Sequence, residues 1–443
     1  MKWLIVFLLA IVPLPFGSAR AEWQWFWIIY ISAAGLWLVL ATRKIKNPLG
    51  IEAAGTYSGG LLCFVLFVIW CFFQATDVTG TGALSIEPLQ SIKVAALFLA
   101  HGLFFVICYT YGRQQPGQLK TLLKIFSFIV VVYSLYGFFS FVLDGTHVLW
   151  YPKTAYKIAL TSSFINPNNF AAYCGLGLIT STSLTLSWLG RNRSQPAWQV
   201  SDTTLLIKSF IREGWFYIAS ALFCMTALLM TGSRAGVLSV MAGLLVLFFL
   251  WIKSKKGFSS SAFAWVFGMI GILIILWWFS GTYFNERLEK EIFSDQRFDV
   301  YPAILHAIWE RPITGYGIGS FETAFRMVRP SEVTLFFDRA HSDYLELAMT
   351  AGLPASAVFL FSLFLLVFNP LVRSHNARVT GFKYMAVGVL TQLSLHAVVD
   401  FPFQIPAISL SAVFLLALCL AAIAANEAKT RSDIQLDAPQ AVR

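Results

Sequence analysis

Chemistry in this 443-residue chain can only concentrate at a few polar segments set among long apolar runs. The segment Asp338-Arg339-Ala340-His341-Ser342-Asp343 puts an imidazole beside carboxylates and a guanidinium. Asp338 is a good helix N-cap, which predicts that His341 falls in the first helical turn. There the positive helix end and Arg339 favour a neutral imidazole able to accept a proton, while Asp343 favours the charged form. General-base catalysis is what such a group could do, although a lone surface histidine is more often inert.

A second candidate is Thr231-Gly-Ser-Arg-Ala-Gly236, squeezed between two apolar runs. Its small residues suit a tight hairpin, Ser233 can cap the following helix, and Arg234 stands without bulky neighbours. A helix N-terminus plus a guanidinium suits phosphate oxygens; the competing reading is an arginine snorkelling to lipid headgroups. A third is Thr161-Ser-Ser-Phe-Ile-Asn-Pro-Asn-Asn169, in which Asn168 or Asn169 could cap the next helix or meet a ligand. Pro167, Asn169 and Ser233 are therefore the candidate positions for further substrate contact.

A long polar stretch from about 282 to 352 carries Arg297, at the entrance to a helix-like run from Phe298 to Trp309. Tyr301, Leu305 and Trp309 recur at i, i+4 and i+8, an apolar face expected to lie on the membrane domain or in the interface. Gly315-Tyr-Gly-Ile-Gly319 has neither the spacing of a phosphate loop nor a preceding strand, and reads as a turn.

The elements that must position these groups follow from composition. Apolar residues make up 58% of the chain and charged residues 12%, with a mean hydropathy of +0.70, so water is not its main solvent. Apolar stretches near the spanning length of about 20 residues fall at about 3–17, 23–41, 58–76, 94–112, 122–143, 170–189, 216–232, 235–252, 263–281, 353–371, 381–399 and 405–425. The reading is all-α: a polytopic protein of about twelve transmembrane helices, a single membrane domain over 1–443 with 282–352 inserted as a loop subdomain. No internal repeat or low-complexity tract interrupts it.

The net charge of +10 is scattered between apolar runs, which points away from a nucleic-acid partner. Most Lys and Arg lie in alternate loops, and the basic-residues-inside rule then places both termini in the cytoplasm and the 282–352 loop in the periplasm. Residues 1–21 also have the form of a signal peptide, ending Ala19-Arg20-Ala21, but the span that follows so closely favours a retained helix. All six cysteines fall inside apolar runs, so neither disulfide nor zinc is expected. His101 and His396, the main titratable groups at membrane depth, are expected to be hydrogen-bonded packing residues, and the lack of intramembrane carboxylates disfavours proton-coupled transport.

TGSRAG after the seventh apolar run, QRFDVYPAILHAIWERPITGYGIGSF in the long loop and AHSDYLELAMTAGLP before the tenth, supported by SSFINPNNFAAY and DFPFQIPA, together resemble the O-antigen ligase and O-antigen polymerase family of bacterial envelope glycosyltransferases. The likeness covers most of the chain in order. It implies a GT-C-like membrane fold and an inverting, metal-independent transfer without cofactor. The donor would be an undecaprenyl-diphosphate-linked glycan and the acceptor a glycan or lipid A-core, at the periplasmic face of the inner membrane. It further implies that His341 serves as base and that Arg234 and Arg297, with Arg339, hold the diphosphate. Two positions depart from the family pattern: its usual His-Asn-Asp-Tyr is His341-Ser342-Asp343-Tyr344, and a frequent glycine is replaced by Ala355. Protein O-oligosaccharyltransfer, or transport of a lipid or anion through an arginine funnel, are the alternative activities.

Overall fold

The computed structural model describes residues 1–42, 54–77, 82–157, 159–192, 207–254, 297–331, 337–368 and 380–437, with isolated positions between them. Among these residues the protein is all-α, with 14 α-helices and one two-residue ladder, His147–Val148 against Tyr151–Pro152. The helices are α1 (Lys2–Ile11), α2 (Ala21–Thr42), α3 (Ala54–Gln74), α4 (Pro88–Gln114), α5 (Leu119–Leu143), α6 (Pro167–Asn192) and α7 (Trp215–Met230). They continue as α8 (Arg234–Lys253), α9 (Arg297–Glu310), α10 (Phe321–Val328), α11 (Asp343–Ala351), α12 (Leu353–Leu363), α13 (Thr380–His396) and α14 (Pro406–Asp437).

Among the described residues, seven helical segments are long and apolar enough to cross a membrane: Ala21–Ala41, Pro88–Gln114, Pro116–Leu143, Pro167–Gly190, Ile207–Met230, Arg234–Lys253 and Pro406–Thr430. The protein is a multi-pass membrane protein. Four further expected spans are present as shorter helices, Lys2–Ile11, Gly59–Gln74, Leu353–Val367 and Thr380–His396, and the stretch expected at 263–281 lies outside the described residues. The first is short because Pro13 and Pro15 cannot continue a helix, and the chain turns through Phe16–Ser18 into α2. It is nevertheless built into the bundle: Ile5, Leu8 and Leu9 are buried, and the Tyr30 and Tyr133 hydroxyls donate to the carbonyls of Leu4 and Ala10.

Two helices form the centre. Within the spanning windows 89% of α14 and 83% of α6 is buried, against 33 to 44% for the others, as expected of helices that are apolar all round. α13 runs antiparallel along α8 and also packs on α6. Gly243 and Gly388 let α8 and α13 touch backbone to backbone: a Cβ on Gly243 would come within 2.6 Å of the Gly388 carbonyl oxygen.

The 297–351 region has a hydrophobic core of its own, in which Val300, Ile304, Ala307 and Ile308 of α9 pack with Phe321 and Phe325 of α10, Phe337 and Met349. The face carrying Leu305 and Trp309 lies outside that core, 45% and 72% exposed, and the neighbouring stripe is the one buried in it. The glycine-rich segment is a turn, with positive φ at Gly315, Gly317 and Gly319. Gln74, at the end of α3, anchors it: the side-chain amide donates to the carbonyls of Thr314 and Thr350 and accepts from Ile318 N–H.

Candidate active site

Ser342, not Asp338, caps the helix that follows the histidine: its hydroxyl accepts from Leu345 N–H, and α11 begins at Asp343. His341 therefore lies just outside the first turn, with a left-handed φ of 50°. Such a backbone is uncommon for a β-substituted residue, and its occurrence requires that neighbours hold it in place. Three do. The Tyr301 hydroxyl of α9 donates to the His341 carbonyl at 2.9 Å, and the imidazole sits edge-to-face between the rings of Phe337, at 6.2 Å, and Phe401, at 5.1 Å.

The carboxylate facing the imidazole is one that the sequence reading did not single out. His341 Nδ1 lies 3.7 Å from Asp400 Oδ1, and the buried His396 brings Nε2 to 3.8 Å from Asp400 Oδ2. Both separations are within ion-pair reach but longer than a hydrogen bond, and among the described residues His341 Nδ1, both His396 ring nitrogens and Asp400 Oδ2 have no hydrogen-bond partner. Burial pushes the Asp400 acid up, but the two imidazoles outweigh it and hold the carboxyl below the usual carboxylate range. His396 thus departs from the expected hydrogen-bonded packing residue, whereas His101 fits it, with Leu97 O at 2.7 Å and Ser409 Oγ at 2.8 Å from its ring nitrogens.

Asp343, expected to act on His341, instead clasps the turn between α13 and α14. Its carboxylate accepts from Phe403 N–H and from the Gln404 amide, both at 3.0 Å, while its N–H donates to the Ala397 and Asp400 carbonyls. Burial pushes the Asp343 carboxyl up to about 8 against the pull of those two donors. This clasp is what brings Asp400 under His341, across 59 residues of chain that no local motif connects. Only DFPFQIPA, noted as a supporting piece of the resemblance, held a hint of it.

Arg339 makes a 3.3 Å contact with Glu346, whose other oxygen accepts from Ala340 N–H. Arg297 is the first residue of α9, one turn before Tyr301; its side chain lies outside the described residues. Arg234 opens α8 and is exposed, behind the expected Ser233 cap, whose hydroxyl accepts from Gly236 N–H at 3.0 Å. Because α8 and α13 cross at Gly243 and Gly388, stepping about nine residues along each, roughly 13 Å of helix, sets Arg234 level with Ala397. Ala397 is the residue to which Asp343 donates, so Arg234 and His341 share one end of the bundle. The cap of α6 is Asn166, whose Oδ1 accepts from Asn168 N–H, rather than Asn168 or Asn169; Pro167 is the first helical residue and Asn169 is buried.

Residues 219–360, about a third of the chain, match the family model Wzy_C, described as O-Antigen ligase. The chain carries an O-antigen ligase family domain. That domain is characteristic of membrane enzymes of the O-antigen ligase and polymerase type, which act on lipid-linked glycans. The O-antigen ligase match runs from α7 into α12 and contains Arg234, Arg297, Arg339 and His341; Asp400 and His396 lie beyond it. No curated protein matches the chain.

Proposed function

We propose that this protein is an inverting, metal-independent membrane glycosyltransferase of GT-C-like build with about twelve spans. It moves a glycan from undecaprenyl diphosphate to an acceptor hydroxyl at the periplasmic face of the inner membrane, as an O-antigen ligase or polymerase in lipopolysaccharide or exopolysaccharide assembly. The observation that carries this reading is the buried Asp400 carboxylate set against Nδ1 of His341, a residue inside the segment that matches the O-antigen ligase family model. With Nδ1 facing the carboxylate, Nε2 is the nitrogen left for substrate, the arrangement by which an aspartate orients a catalytic imidazole and stabilises its protonated form.

In this mechanism His341 Nε2 takes the proton of the acceptor hydroxyl as its oxygen attacks the anomeric carbon. The bond to the diphosphate breaks on the opposite face, inverting the centre, and the lipid diphosphate departs. Arg234, Arg297 and the remaining N–H groups of Arg339 offset charge growing on the bridging oxygen. Asn169 and Ser233, which border the same end of the bundle, are candidate glycan contacts, and Pro167 shapes the turn beside them. The 282–352 loop subdomain lies on the periplasmic side, with both termini on the cytoplasmic side.

The test is to incubate purified protein with a lipid-linked glycan and separate acceptors, and to identify products by mass. A ladder of repeats supports a polymerase, single transfer to lipid A-core a ligase, and transfer to a Ser or Thr peptide a protein oligosaccharyltransferase. Movement of an intact lipid or anion across vesicles without any glycosidic product would overturn the enzyme reading in favour of a transporter.

A further inference from the structure

Lys93 lies in the second turn of α4, inside a segment apolar enough to span the membrane, and is 9% exposed. Among the described residues no hydrogen bond or ion pair reaches its ammonium. A largely buried cation with no ion pair of its own is costly, and such groups are found where they meet a substrate or an ion.

Its level follows from the helix. Lys93 lies eight residues, roughly 12 Å, before His101. α4 and α14 run parallel, His101 meeting Ser409 and Gly112 meeting Ala421, so Lys93 stands level with the Asp400–Gln404 turn at the start of α14. Arg339, Glu87 and Glu22 lie within its electrostatic reach. The nearby carboxylates are committed elsewhere or face solvent: Glu87 accepts from the Thr323 hydroxyl at 2.6 Å, Glu346 is taken by Arg339 and Ala340, and Glu22 is exposed.

We propose that Lys93 binds an anionic oxygen of the substrate, phosphoryl or carboxylate, beneath the turn that carries Asp400. The inference rests on the transferase reading above and adds to it a binding residue from α4, which lies outside the matched family segment. Two sources supply the chemistry: the diphosphate of the lipid donor, or an acidic substituent on the acceptor.

The experiment uses the full chain in lipid nanodiscs as wild type, Lys93→Met and Lys93→Arg. Undecaprenyl diphosphate and lipid A-core are titrated separately, with thermal unfolding of the ligand-free proteins measured alongside. Lys93→Met should unfold at a higher temperature than wild type, because an unmatched buried charge is gone, yet bind one of the two probes about 10- to 100-fold more weakly. Lys93→Arg should keep most of that affinity. Loss confined to undecaprenyl diphosphate assigns the anion to the donor, and loss confined to lipid A-core assigns it to the acceptor. Unchanged binding of both probes by Lys93→Met, or a ligand-free protein that unfolds earlier or fails to accumulate, makes Lys93 a structural cation and overturns the proposal. Should wild type bind neither probe, the transferase reading fails instead.

Discussion

Two histidine sites in this protein are built from similar parts and finished differently. At His101, midway along α4, both ring nitrogens are matched, one by its own helix and one by Ser409. At the 341–400 corner, two imidazoles each come within ion-pair reach of a buried carboxylate, yet among the described residues four of their nitrogen and oxygen atoms lack a hydrogen-bond partner. Buried polar atoms are usually matched, and catalytic groups often reach their closest geometry only when substrate is bound. The contrast separates a histidine that secures two helices from the one proposed to act as base.

The sharpest way to break this comparison is His341→Ala. We expect glycan transfer to fall by at least about 10²- to 10⁴-fold with normal protein abundance, the usual span for a positioned base. Full activity in the product assay would remove His341 from the reaction. Asp400→Asn should come next, lowering transfer by about 10- to 100-fold, since it removes one charge-assisted contact while keeping the shape. Measured rates equal to wild type would show that the carboxylate serves folding alone.

Arg234→Lys keeps a charge and loses the planar fork, so about a tenfold loss in kcat/KM for the lipid donor is expected; a lysine that serves equally well would mark Arg234 as a headgroup anchor. Ser409→Ala tests the other site. It should cost about 1 kcal/mol of stability through the unmatched His101 nitrogen, visible as a lower unfolding temperature, and leave transfer near normal. The smallest effect is expected at Asp343→Asn. A carboxyl pushed up to about 8 is largely protonated at neutral pH, so an amide of the same shape, its oxygen kept on Phe403 N–H and its NH2 met by a turned Gln404 amide, should change activity by no more than about twofold there. The same shift gives a sign for pH: a folded value raised from 3.8 contributes stability fully present below about pH 4 and lost as pH rises through about 8. Comparing thermal unfolding of wild type and Asp343→Asn across that range checks it, since the variant lacks the titration.

Much of the fold was legible in the residues. Long apolar runs predicted the spans of α2, α4, α5, α6, α7, α8 and α14, because a bilayer demands about 20 apolar residues whatever their order. Ser233 was legible as a cap because capping is a contact three residues long. The cap before α11 was misplaced by four residues because Asp338 and Ser342 are both good capping residues, and only the left-handed turn at His341 decides between them.

The sequence by itself therefore determined the solvent, the helical class and the polar segments where chemistry could lie, since each rests on composition or on neighbours a few residues apart. Tertiary structure alone decided that Asp400 rather than Asp343 faces His341, that His396 stands behind it, and that Arg234 reaches the same end of the bundle. Those pairings depend on how α8 crosses α13 and on a clasp between the starts of α11 and α14. Contacts between residues far apart in the chain leave no periodicity to read.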